Sequence, residues 1–159
     1  ICYQLSYFML AGIVRTQVCG EEEELSRVQR LLGRGERLGL ALSYGKSDER
    51  QDVCRTMRVS GLPFLYGKDL TKTMRRILYG SAEQVRLTDD QKRGLGVSFV
   101  RRSADTWQDV LLERGTIAFR IKDHEALLAA SGVAAAVSRM MGERIADLHE
   151  IAIARNLIG

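Results

Sequence analysis

The chain has 159 residues, 45% hydrophobic and 28% charged, with a single Pro. That length holds one domain or two small packed subdomains, and the composition excludes a disordered or collagen-like chain. Net charge is +4, and three cysteines without a CxxC pair exclude a disulfide framework and suit a reducing compartment.

Ile1 to Val14 carries no charge. The run is shorter than the ~20 apolar residues of a membrane span, so a buried helix is expected. Ile1 in place of an initiator Met reads as a fragment or a trimmed product. Glu21 to Leu32 places Leu25, Val28, Leu31 and Leu32 on one face, with Glu21, Glu22, Glu23 and Glu24 at its start and Arg30 near its end. Both features favour a helix. Gly33-Arg34-Gly35 with Gly39 has the wrong spacing for a phosphate loop and reads as a helix-breaking turn.

Asp48 opens a further helical segment burying Val53, Cys54 and Met57, stopped by Gly61-Leu62-Pro63. Asp69 opens the next, with Leu70, Met74, Ile77 and Leu78 inward and Lys72, Arg75 and Arg76 outward. From Arg50 to Arg76 seven basic residues face two acidic ones. An acidic block beside a basic one gives a dipolar surface, suited to head-to-tail contact between copies: Glu21 to Glu24 of one against Arg50 to Arg76 of the next. Arg55, Arg58, Lys68, Lys72, Arg75 and Arg76 form a basic face suited to anionic lipid headgroups or phosphate.

From Leu87 to Arg102 the chain changes character. Thr88 and Gln91 flank two aspartates in a capping-box pattern, and carboxylates in a first turn suit the helix dipole. A helix over 88–102 is predicted, softened by Gly94 and Gly96 and exposing Lys92, Arg93, Arg101 and Arg102, which extend the surface for anionic lipid or phosphate. It reads as a connector between an N-terminal helical subdomain, 1–87, and a second one, 103–159. Asp105 and Gln108 repeat the capping pattern and predict a helix with Trp107, Val110 and Leu111 in the second core. Ile117, Phe119 and Ile121 allow a short strand. Asp123 begins a long Ala-rich helix to Met141, in which Gly132, Ala135 and Ala136 admit a close neighbour. A last helix spans Glu143 to Leu157, burying Ile145, Leu148 and Ala152. The expected class is all-α, two small helical bundles joined by a connector helix.

Leu87-Thr88, Arg93-Gly94-Leu95 and Phe99-Val100, with Pro63 and Leu70-Thr71-Lys72 upstream and the small-residue run Ser131 to Gly142 downstream, occur in one order. In this order the chain, from about Pro63 to Ile158, resembles the matrix protein of influenza and related orthomyxoviruses, nearest a distant genus such as the fish isaviruses. Its departures are the displaced arginines, which fall on Arg101 and Arg102, and insertions between Leu70 and Val85. The resemblance implies an all-α structural protein that forms a self-associating layer beneath a viral envelope. Such a protein binds the anionic inner leaflet and contacts the ribonucleoprotein or RNA, in the virion, the host cytoplasm and nucleus, and at the plasma membrane.

His124 and His149 lie at ligand spacing from no Cys or second His, so neither a metal nor a cofactor is expected. No cysteine has a defined partner for nucleophilic catalysis, and the scattered carboxylates read as solvated faces. No catalytic residue and no small-molecule substrate is predicted. The competing reading is an all-α nucleic-acid-binding regulator with Leu70 to Tyr79 as its recognition helix, but that segment has no Asn or Gln for base readout. With Trp107 assigned to a core, base stacking is not expected, and nucleic-acid binding would be electrostatic.

Overall fold

The uncharged N-terminal run folds as helix α1 (Cys2–Ala11), closed where Gly12 adopts a left-handed backbone and the Gly12 and Ile13 N–H groups donate to the Met9 and Phe8 carbonyls. This computed structural model describes residues 1–46, 56–102 and 104–159. The chain divides into two units, Ile1–Asp52 with Asp147–Gly159, and Val53–Ala146.

In the first unit, β1 (Arg15–Cys19) and β2 (Ala41–Gly45) pair in parallel, Thr16 opposite Leu42 and Val18 opposite Tyr44. Parallel neighbours need a crossover, and helix α2 (Glu22–Leu32) supplies it. Thr16 and Val18 alternate inward, against exposed Arg15, Gln17 and Cys19. The final helix, α5 (Leu148–Ala154), begins at Asp147, whose carboxylate accepts from the His149 and Glu150 N–H groups. Leu5 and Met9 of α1, Leu40 and Leu42 at β2, and Leu148 and Ala152 of α5 form one buried cluster, so both ends of the chain share a core. Gly39 takes φ +65°, and a Cβ there would run into Leu157.

The second unit holds a four-stranded sheet in the order β3-β6-β5-β7, formed by β3 (Thr56–Val59), β6 (Gly94–Val100), β5 (Gln84–Thr88) and β7 (Gln108–Leu111). Strands β5 and β6 are antiparallel, and their turn is held by Asp89. Its carboxylate accepts from the backbone N–H of Gln91 at 3.0 Å and of Arg93 at 2.8 Å, and from Arg93 Nε at 2.7 Å. Arg86 pairs with Ser98 but Thr88 with Gly94, so β6 carries surplus residues and bulges. Gly96, at φ +86°, accommodates the bend, and its bare Cα lies against the Ser60 carbonyl. Leu95, Val97, Phe99, Val85, Leu87 and Met57 bury the sheet's inner face.

Beside it, β4 (Pro63–Tyr66) pairs antiparallel with β8 (Ile117–Arg120). Phe64 faces Phe119 in register, their rings stacked at 5.1 Å. Helix α3 (Leu70–Leu78) buries Leu70, Met74 and Leu78 and exposes Lys72, Arg75 and Arg76. Helix α4 (His124–Met141) starts at Asp123, which accepts from the Ala126 N–H at 2.8 Å, and buries only Ala130 and Val137.

The class is therefore mixed α/β, with eight strands in three sheets among the described residues, and the all-α expectation is overturned. The predicted connector helix is instead the β5–β6 turn followed by β6. Asp89 closes a tight turn rather than starting a helix, and Leu95, Val97 and Phe99 bury at a period of two. The predicted helix at Asp105 is β7, preceded by Trp107 at the surface, 44% exposed. Part of the helix expected from Asp48 is β3, with Met57 buried; Val53, Cys54 and Arg55 lie outside the described residues. Helix α2 forms as predicted but fully buries none of its apolar residues. No described helix is long and apolar enough to cross a membrane.

Candidate nucleic-acid interface

Cross-strand partners share a face of a sheet, so register alone assembles a row of side chains. Arg58 on β3 pairs with Ser98 on β6, Ser98 with Arg86 on β5, and Arg86 with Asp109 on β7. Arg86 Nε and Nη2 donate to the two Asp109 carboxylate oxygens. That hydrogen-bonded guanidinium holds the Asp109 carboxyl below the usual carboxylate range, and the Lys92 charge acts in the same direction.

At the Ser98–Arg86 pair of this row lies a shallow basin of about 290 Å³, lined also by Ser60, Gly96, Trp107 and Arg120 among others. Arg120 ends β8, opposite Pro63, and its guanidinium lies over Gly61, within 2.8 Å of where a Cβ would stand. The glycines at 94 and 96 keep the floor low, two serines supply hydroxyls, and the Trp107 ring is accessible. Two cations, a flat ring and hydroxyls on an open sheet offer contacts for phosphates and for the face of a base. A second depression, which includes Arg76, Val85 and Val110 in its lining, offers one cation and no aromatic ring.

The basic residues singled out by charge are dispersed among several elements. Arg58 joins the cross-strand row, while Lys72, Arg75 and Arg76 lie exposed on α3 and Lys68 just before it. Arg76 approaches Glu113 at 3.6 Å, and Arg93 is engaged by Asp89. Lys92 sits in the β5–β6 turn at φ 60°, and Arg101 and Arg102 follow β6, Arg101 donating to the Gly80 carbonyl at 3.4 Å. Glu21 precedes α2, and Glu22, Glu23 and Glu24 form its exposed first turn, with Glu23 paired to Arg27. Sequence reasoning missed Arg86 and Arg120 and placed Trp107 in a core. The available signal was alternation, since Arg86 stands polar between Val85 and Leu87. Among the described residues no three His, Cys, Asp or Glu side chains group to hold a metal. Neither a protein-family model nor a curated protein matches the chain.

Proposed function

We propose that this protein is a non-catalytic nucleic-acid-binding protein that takes single-stranded RNA on the β3-β6-β5-β7 face. The observation that supports it is the Arg58–Ser98–Arg86 row beside the basin in which Trp107 and Arg120 meet. Phosphates engage the guanidinium groups, and a base lies on the Trp107 ring. The protein reads the backbone and the π-face, which every base presents, so sequence preference is weak. The matrix-protein resemblance implied an all-α chain, and the mixed α/β fold removes its support along with that of the viral-matrix and lipid-binding readings, so the RNA reading rests on this sheet face alone.

Trp107 is the sole tryptophan, so its fluorescence reports the site directly. Titration with a short oligouridylate is expected to quench it. The affinity should fall with salt at a logarithmic slope of about −2, as for three phosphate contacts on a single strand. Arg86→Gln and Arg120→Gln should each weaken binding, whereas Lys68→Gln should not. Anionic vesicles provide the second arm. Binding to vesicles with no quenching by the oligonucleotide overturns the RNA reading in favour of a lipid surface.

A further inference from the structure

Helix α4 buries two of its eighteen residues and leaves the rest of its surface half-exposed or open. Its outward face contains Leu128 at 60% exposure and Gly132, around whose Cα nothing lies within 4 Å of a built Cβ. A large apolar side chain beside an uncovered glycine leaves room for a second helix to pack closely on this face. The arrangement of the face says which helix.

Glu125 and Arg139 each stand seven residues from Gly132, about 10 Å along the axis and close to the same angular position. Leu128 and Ala136 each stand four residues from it. Positions equidistant from Gly132 thus carry opposite charge, or a large apolar side chain matched by a small one. An antiparallel copy of the same helix, crossing with its two-fold axis at Gly132, sets Glu125 beside Arg139 of the partner subunit and Leu128 against Ala136 of the partner subunit. Gly132 meets its own counterpart and lets the backbones approach. A parallel copy sets Glu125 against Glu125, so the charges select the antiparallel arrangement. Both charges also suit their own helix dipole, an acid in the first turn and a base in the last.

We infer that α4 is a self-complementary surface through which two copies of this chain pair antiparallel about Gly132. This interface goes beyond RNA binding and does not depend on it. It also differs from contact between Glu21–Glu24 and the basic segment, because it is isologous and closes as a dimer. A helix about 27 Å long covers less than the roughly 800 Å² per partner of a stable complex, so the dimer is weak.

Sedimentation of the RNA-free chain over micromolar to near-millimolar concentrations tests it. The wild type is expected to shift from monomer to dimer. Gly132→Ala and Gly132→Leu both favour the isolated helix, but only Leu blocks the crossing, so Leu alone should weaken association about tenfold or more. Glu125→Arg should also weaken it, and adding Arg139→Glu should restore it, because the swapped charges still pair. Far-UV circular dichroism verifies that each variant keeps its helices. A wild type that stays monomeric throughout, an unaffected Gly132→Leu dimer, or tighter association of Glu125→Arg alone overturns the antiparallel α4 interface. None of these outcomes bears on the quenching of Trp107.

Discussion

Asp109 shows how one carboxylate sets the charge of the candidate site. Paired with Arg86 and close enough to Lys92 to be affected by its charge, it stays ionised to lower pH than a free side chain. A carboxyl whose folded pKa is depressed stabilises the native state fully above its unfolded pKa, and loses that contribution as pH falls through the folded value. Stability is therefore expected to decline on acidification below the ordinary carboxylate range, and Asp109→Asn should flatten part of that decline. Urea midpoints at neutral and acidic pH measure it. An unchanged acid limb would show that solvent screens the pair entirely. The same substitution frees Arg86 from its counter-charge, so RNA should bind more tightly at neutral pH. Trp107 behaves differently. Being 44% exposed, its replacement by Ala should cost less stability than the about 3–5 kcal/mol of a core aromatic, yet remove stacking worth about 1–3 kcal/mol per base. Denaturant melts beside RNA titrations separate the two. A loss of several kcal/mol in the melts alone would return the ring to a core.

Among the elements, the β5–β6 hairpin carries the largest disagreement between local pattern and structure. Thr88-Asp89-Asp90-Gln91 satisfies a capping box on paper, but a short acceptor side chain serves a tight turn equally well. Asp89 gathers the Gln91 and Arg93 donors across the turn, and no helix follows. What decides is the run beyond it. Leu95, Val97 and Phe99 alternate with Gly96, Ser98 and Val100, and only the first set is buried. The same capping pattern at Asp105 outweighs the strand that starts at Gln108, while β1 at Arg15 is too short to show a pattern of its own. Helices α1, α2, α3 and α4 were legible because charge-free, capped or 3.6-periodic stretches point one way. Of the site, charge alone exposed Arg58; Arg86 and Arg120, single cations within strands, needed the register. Phe99, buried opposite Val85 and Met57, is the hairpin's test. Phe99→Ala should cost about 3–5 kcal/mol, and a loss under 1 kcal/mol in denaturant melts would contradict the strand phase.

At the scale of the whole molecule, the chain leaves its first unit after β2 and returns to it at Asp147. The returning segment is not a tail. Leu148 and Ala152 complete the cluster begun by Leu5 and Met9, and the Leu157 carbonyl closes over Gly39. Two short parallel strands and their crossover bury little surface alone, so the unit's stability leans on contacts far apart in sequence. Such contacts leave no local periodic signal, which is why the division was not legible from charge and glycine spacing. Ending the chain at Ala146 removes two buried side chains from six, and deleting a core Leu side chain alone costs about 2–5 kcal/mol. The truncated chain is expected to lose hydrogen-exchange protection in α1, β1 and β2, while the amides of β5 and β6 stay protected, because their partners all lie between Thr56 and Leu111. Trp107 quenching by oligouridylate should then survive. Protection lost equally in both units would mean that they unfold as one cooperative body, and protection kept in both would mean that α5 contributes nothing to the first core.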